Sequence, residues 1–273
     1  MDYSSLINDN IISTTPLSGG CIGSCARVKT KTCDYFIKHY SKAGVAPKEA
    51  HGINALSESR SISVPAVIKY NDHFLVLNYI PQAAKSRDFQ NRLGNELARL
   101  HRKTSDTNTE FGFYEDNYIG STEQKNTFKK SWIEFYIENR LDFQVELSGD
   151  IKVRETYNKL RKRIPDLLES SKEAPCLIHG DLWAGNVIAD EKGQPVLIDP
   201  AAYRGHRELE LAMTLLFGGF TEEFYRSYNE TYPLKEGWRS RLDLYKLYHI
   251  LNHLNLFGDS YKNQAIGLML NYL

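Results

Sequence analysis

His179-Gly180-Asp181-Leu182-Trp183-Ala184-Gly185-Asn186, followed further on by Leu197-Ile198-Asp199, is the stretch on which the reading of this chain turns. It sets a carboxylate at Asp181, a carboxamide at Asn186 and a second carboxylate at Asp199, each beside a short apolar run that reads as a strand. Phosphoryl transfer needs one carboxylate within reach of the acceptor hydroxyl. It also needs oxygen ligands that hold magnesium across the nucleotide phosphates. Asp181 suits the first need as catalytic base, and Asn186 and Asp199 suit the second as metal ligands. Asp and Asn also supply ordinary turns and caps, and for either residue alone that reading would prevail. Three in this order, each next to strand-like residues, point to catalysis.

Working upstream, a nucleotide site calls for a glycine turn, a lysine on a following strand and a helical carboxylate to orient it. Ser18-Gly19-Gly20, Lys38 and Glu49 supply these in order. Glycines let the backbone approach phosphates closely. Lys38 would neutralise the α- and β-phosphates, and Glu49 would hold its ammonium. Taken singly, Gly19-Gly20 is an ordinary turn, Lys38 a solvated strand residue and Glu49 a first-turn carboxylate favoured by the helix dipole. They gain weight only with the downstream triad. Leu77-Asn78-Tyr79 closes an apolar run before Pro81, where a backbone edge could pair with adenine or simply end an edge strand.

The surrounding pattern divides in two. Residues 1–80 read as strands with one helix: a Gly-rich turn after Thr14-Thr15-Pro16, an aromatic strand at Tyr35–Tyr40, and a second strand over Phe74–Ile80. Between them a helix opened by Pro47 has Ala46, Ala50, Ile53 and Leu56 at helical spacing. Residues 81–273 read as mainly helical. Leu93, Leu97 and Leu100 mark one helix; Phe128, Trp132 and Phe135 mark another. Val153, Tyr157, Leu160, Ile164 and Leu167 mark a third, which Pro165 should kink or end. Short strands are expected at Cys176–Ile178 and Pro195–Ile198, and helix again from Arg207 to the end. The expectation is an α+β chain: a small β-rich lobe over 1–80 that binds nucleotide, and a larger helical lobe over 81–273 that carries catalysis and acceptor.

Composition narrows the classes. The chain has 273 residues, 41% hydrophobic and 25% charged, as an ordinary globular protein has. Lys plus Arg and Asp plus Glu are 34 each, so the net charge is zero. That argues against nucleic acid or an anionic membrane as partner. No apolar run approaches the roughly 20 residues that span a bilayer, and no basic start precedes an apolar stretch, so a cytoplasmic protein is expected. Four cysteines do not make a disulfide framework in so long a chain, and Cys21, Cys25 and Cys33 fit no common zinc spacing. Reduced thiols are the better reading. Aromatic residues, 12% of the chain with 17 Tyr, suit a filled core or a sugar-binding cleft.

With these residues in view, the sequence resembles the fructosamine-3-kinase, or ketosamine-3-kinase, family. The likeness rests on H-G-D-L-W-A-G-N, on I-D-P-A-x-Y-x-G-H-R-E-x-E-L-A-M after it, and on Asn117-Tyr118-Ile119-Gly120. Arg140-Leu141-Asp142-Phe143-Gln144, Phe217-Gly218-Gly219-Phe220 and Leu251-Asn252-His253 extend it over nearly the whole chain. The resemblance implies a protein-kinase-like two-lobe fold, shared with aminoglycoside and choline kinases. It implies ATP-dependent phosphorylation, with Mg2+, of the C3 hydroxyl of a ketosamine on protein or a small amine, leading to deglycation. It also implies that Trp183 stacks on the sugar, with His253 lining the same pocket, and that Cys21 in the glycine loop is a redox position. Oxidation at Cys21 would block ATP or bridge two chains, giving a monomer or a redox-dependent dimer.

Two other readings compete. One is a kinase for another small hydroxylated amine, such as an aminoglycoside or choline; Glu208 and Glu210 raise the idea of a cationic acceptor, although salt-bridge or surface roles suit them better. The other is a non-catalytic nucleotide-binding redox sensor, against which the intact set Lys38, Glu49, Asp181, Asn186 and Asp199 weighs. Asp199-Pro200-Ala201 stands where protein kinases have Asp-Phe-Gly, which argues against a protein kinase.

Overall fold

Strand β3 (Asp34–Tyr40) explains how the first part of the chain is built. Successive side chains on a strand point to opposite faces, so Ile37 faces one way while Phe36, Lys38 and Tyr40 face the other. Strands β1 (Ile11–Leu17), β2 (Gly23–Thr30), β4 (Val67–Tyr70) and β5 (Phe74–Asn78) join it in one antiparallel sheet ordered β1-β2-β3-β5-β4. In the computed structural model of this chain, residues 3–7, 9–17, 23–105 and 109–273 are described. Gly19, Gly20 and Cys21 lie outside them.

Each face of the sheet has its own cover. Ile37, Val28, Ala26 and Val76 pack with Tyr3 and Ile7 from the N-terminal segment. On the other face, Tyr40, Leu75 and Leu77 pack against Val45, Ala46, Ala50 and Ile53 of helix α1 (Val45–Glu58). The helical spacing of the alanine-rich stripe is therefore the sheet-facing stripe, and it carries Glu49 to the face that bears Lys38. The far end of α1 does something else: Leu56, with Ile62, joins the large core of the helical part.

That core is built by α2 (Phe89–Ser105), α3 (Trp132–Phe135), α4 (Phe143–Ser148), α5 (Ile151–Arg161), α7 (Arg207–Thr214), α8 (Glu222–Thr231), α9 (Trp238–Phe257) and α10 (Lys262–Leu270). Helices α2 and α8 approach closely because Gly94 has no side chain; a Cβ there would lie 2.3 Å from the Phe224 carbonyl oxygen. Three two-stranded antiparallel pairs complete the architecture: the hairpins β6 (Asn117–Ile119) with β7 (Thr122–Gln124) and β9 (Val187–Ala189) with β10 (Pro195–Leu197), and β8 (Cys176–Ile178) with β11 (Tyr203–Gly205), which enclose the second hairpin in sequence. The chain is thus α+β, with a five-stranded antiparallel sheet first and a mainly helical body after it.

Two helix expectations are corrected. Phe128 stays outside any helix and is exposed, because Ser131 caps the helix that starts at Trp132, its side chain accepting from the Glu134 amide. The stripe Val153–Leu167 is two helices: α5 ends at Arg161, and a short α6 (Ile164–Leu168) takes Pro165 in its first turn, where a missing N–H costs nothing. No helix among the described residues is long and apolar enough to cross a membrane.

Candidate active site

A cleft of about 680 Å3 opens between the sheet and the helical body. Lys38, Glu49, Asp181, Trp183, Asn186, Asp199 and the run Leu77–Tyr79 all line it. Lys38 Nζ lies 2.7 Å from Glu49 Oε1 and 2.8 Å from Asp199 Oδ1, so one ammonium bridges the helix facing the sheet and the loop that follows β10. Burial opposes the charge on Lys38, but the two carboxylates outweigh it and hold its pKa well above the ordinary lysine value. Tyr40, two residues on and hence on the same face, donates its hydroxyl to Glu49 Oε2. Sequence reading missed Tyr40; the period-two step from Lys38 was the available signal.

The loop His179–Asn186 is fixed at both ends. Strand β8 delivers His179, whose Nε2 faces the Ile198 carbonyl at 2.8 Å while its Nδ1 accepts from the Asp181 amide at 3.3 Å. The Ala201 amide returns to the His179 carbonyl at 2.9 Å, and the Ile198 amide to the Asn186 carbonyl at 3.0 Å. The loop and the Asp199 segment are therefore tied together on both sides of Asp199, which itself adopts φ 56°, a left-handed backbone uncommon outside glycine. Gly180, at φ 83°, has its α-carbon against the Ala201 carbonyl, where a Cβ would lie at 2.2 Å.

Asn186 Nδ2 donates to the Asp181 carbonyl at 2.8 Å and to Asp181 Oδ2 at 3.2 Å. This fixes the distance between the two and turns the amide so that its oxygen is the end left for a ligand. Burial pushes the Asp181 carboxyl up to about 7; the Asn186 bond works against that rise, and the negative charges of Asp199 and Glu210 add to it. A carboxylate poised there is half ionised near neutral pH, the setting that favours proton acceptance.

Glu210, suspected of a surface or acceptor role, does neither. It is fully buried in α7 and accepts the backbone amides of His179 at 2.6 Å and Gly180 at 2.9 Å. His101, from α2, stands behind it at 3.3 Å, with the Tyr228 hydroxyl on its other nitrogen at 2.8 Å. Burial works against the Glu210 charge, but these donors prevail and hold its pKa below the ordinary value. Glu208 is spent on a buried ion pair with Arg241 at 2.6 Å. Neither glutamate lines the cleft.

Leu77-Asn78-Tyr79, expected to border adenine, line the cleft where the sheet meets it. The Asn78 amide donates to the Ala66 carbonyl at 3.1 Å and the Tyr79 amide to the Asp34 carbonyl at 3.0 Å, so both are committed within the sheet. Ile80 follows them in the cleft wall. Trp183 is 40% exposed at the mouth. Its indole lies over Gly185, where a Cβ would meet ring carbons at 2.2 Å. His253 does not line the cleft. It is reached from Trp183 through Phe217, with ring centroids 6.2 Å and then 5.1 Å apart.

An antiparallel sheet over a helical body, with a lysine–carboxylate pair facing an Asp-Asn-Asp set across one cleft, defines the kinase-like fold of small-molecule phosphotransferases. Solved structures of that class share the fold: a choline kinase of Streptococcus pneumoniae matches with a TM-score of 0.64 at 16% identity over 99% of this chain and 96% of its own. The chain belongs to the fructosamine kinase family, whose model matches residues 4–273. A protein-ribulosamine 3-kinase of Oryza sativa subsp. japonica, named as chloroplastic, is 40% identical over 96% of this chain and 79% of its own length. A probable ketoamine kinase of Enterococcus faecium is 36% identical over the full length of both. A Thermobifida fusca crystal structure assigned as a fructosamine-3-kinase superposes with a TM-score of 0.90 at 30% identity, covering 98% and 96% of the two chains.

Proposed function

We propose that this chain is an ATP-dependent ketosamine 3-kinase that phosphorylates the C3 hydroxyl of a sugar attached to an amine, the step that leads to deglycation. The family match supports the reaction, and the pairing of a carboxylate near pKa 7 with a flat aromatic ring two residues away carries it on this chain's own residues. Asp181 takes the acceptor proton; Trp183 offers the sugar an apolar face and excludes water. Lys38, held by Glu49, turns toward the nucleotide phosphates, and Leu77–Tyr79 with Ile80 border the adenine. The masking of charge by Lys38, together with an oriented base, is the positioning and electrostatic contribution that phosphoryl transfer asks of a protein.

The donors fit magnesium. Asn186 presents a carboxamide oxygen and Asp199 a carboxylate oxygen, the hard ligands Mg2+ takes with one or two protein groups beside substrate phosphates. Bound there, Mg2+ would neutralise charge on the transferring phosphoryl group. In this reading residues 1–80 form the nucleotide lobe and 81–273 the catalytic and acceptor lobe. Among the described residues Cys25, Cys33 and Cys176 form no disulfide, and a cytoplasmic setting belongs to the same reading.

The test is ADP release with Mg-ATP on ribulose-lysine and fructose-lysine beside kanamycin and choline, with Asp181→Asn as the blank. Turnover on a ketosamine, absent in the blank, is expected. Turnover on kanamycin or choline alone would discard the substrate while keeping the fold and catalytic residues.

A further inference from the structure

Outside the cleft, the surface beside Trp183 is built from rings in contact. Phe217 meets Trp183 edge-on, with centroids 6.2 Å apart. His253 stacks obliquely on Phe217 at 5.1 Å, Phe257 on His253 at 5.4 Å, and Tyr261 on His253 at 5.2 Å. Phe217 is 45% exposed and Phe257 54% exposed, with His253 and Tyr261 half-buried beside them. Large apolar side chains left uncovered in a contiguous row mark a binding surface more often than single exposed ones do.

The strip is tied to the catalytic loop rather than merely near it. Gly218 and Gly219 both have positive φ, 72° and 91°, and a Cβ on Gly219 would lie 2.4 Å from the Ala184 Cβ. The backbone that presents Phe217 therefore rests directly on the loop between Asp181 and Asn186. Gln90 Nε2 holds the Gly219 carbonyl from the other side at 3.1 Å. Any group leaving the catalytic centre past Trp183 meets Phe217 next, then His253 and Phe257.

The chemistry of the proposed acceptor says which group leaves that way. In a ketosamine the amine is joined to the reacting carbon through C2 and C1, three single bonds, a reach of about 3.8 Å. With the C3 hydroxyl at Asp181, the protonated amine falls within reach of the Trp183 ring, which attracts a cation to its face. Burial pushes the His253 imidazole below its ordinary pKa, which disfavours a positive charge beside that cation. The carrier attached to the nitrogen then continues outward over Phe217.

We infer that Phe217, His253, Phe257 and Tyr261 form a second acceptor subsite, on the amine side of the transferred phosphoryl group, that takes apolar amine carriers such as the methylene stem of a lysine side chain. The inference rests on the ketosamine kinase reading. It makes the carrier, and not only the sugar, a determinant of specificity. Its energy comes from apolar burial, so it acts in binding: it lowers KM and leaves kcat alone.

The experiment uses the full chain with Mg-ATP and two adducts of one sugar, on ethanolamine and on hexylamine, read as separate kcat and KM values for the wild type, Phe257→Ala and Tyr261→Phe. The wild type should show a KM about tenfold lower for the hexylamine adduct, the gain expected of a few buried methylenes. Phe257→Ala should remove most of that advantage while leaving kcat and the ethanolamine adduct unchanged, and Tyr261→Phe should preserve it. Equal KM values for the two carriers in the wild type, or an equal rise for both in Phe257→Ala, would overturn the subsite. So would a concentration-dependent dimer dissolved by Phe257→Ala, which would assign the strip to a second copy of the chain. Absence of turnover on both adducts with ATP still bound would instead strike the kinase reading, and the subsite would fall with it.

Discussion

Lys38 Nζ stands 2.8 Å from Asp199 Oδ1, a bond that joins the sheet to the loop beyond β10 across the cleft. The same ammonium is 2.7 Å from Glu49, so Asp199 can turn to a cation without leaving Lys38 unpaired. On the proposed reading the two carboxylates divide the work: Glu49 keeps the lysine in place while Asp199 exchanges partners. Asp199→Asn should weaken Mg-ATP binding by at least about tenfold, roughly 1.4 kcal/mol, while ADP binding in EDTA changes little. Calorimetric titration with and without Mg2+ reads both. Equal losses in the two conditions would mean that Asp199 serves the lysine alone.

Asp181→Asn removes the proton acceptor and leaves the phosphate ligands. Turnover should fall by about 10²- to 10⁴-fold, the usual worth of a positioned base, with ATP affinity within a factor of a few of the wild type. In the wild type, kcat/KM should rise with pH through about 7, the value to which burial lifts this carboxyl. A flat profile from pH 6 to 8 would contradict the assignment.

The same group gives a stability signature of known sign. The Asp181 pKa is raised from 3.8 to about 7 on folding. Below 3.8 both states hold the proton and the group contributes nothing. Between 3.8 and 7 the unfolded chain releases the proton while the folded chain retains it, so stability declines as pH rises, and above 7 the cost is complete. Asp181→Asn without nucleotide or Mg2+ should therefore melt higher than the wild type at pH 8 and close to it at pH 4. Thermal scans at the two pH values decide this; a lower melting temperature at pH 8 would be inconsistent with it.

Glu210 holds two consecutive loop amides from inside the core. Glu210→Gln keeps the shape but loses one acceptor and the charge, at a cost of about 1.5–3 kcal/mol for charge-assisted bonds. Because the amides belong to His179 and Gly180, kcat should fall by an order of magnitude or more while KM for ATP holds steady. A variant that is less stable yet fully active would reduce Glu210 to a packing role.

Gly185 is where the Trp183 ring lies. Gly185→Ala should push the indole off its seat and raise KM for the acceptor several-fold, with KM for ATP nearly unchanged. Steady-state kinetics with each substrate varied in turn separates the two; a matched rise in both would indicate a general disturbance of the loop.

The sequence alone determined the order of chemistry along the chain. Asp181, Asn186 and Asp199 beside apolar runs, and Lys38 and Glu49 upstream, were legible because phosphoryl transfer demands particular side chains at short spacings that a loop or strand dictates locally. The strands at 34–40 and 74–78 and the stripe Ala46, Ala50, Ile53 and Leu56 were legible for the same reason: periodicity is a local property. Only the tertiary structure decided what those residues meet. Glu210, on a helix whose pattern says nothing of loops, becomes the anchor of the catalytic backbone because α7 passes beneath β8. The Asn78 and Tyr79 amides are spent inside the sheet, on the carbonyls of Ala66 and Asp34. His253 lies outside the cleft, packed on Phe257 and Tyr261 of its own segment and, from a distant part of the chain, on Phe217. Buried polar groups must find partners wherever the fold supplies them, and a partner chosen across 30 or 161 residues leaves no trace in spacing.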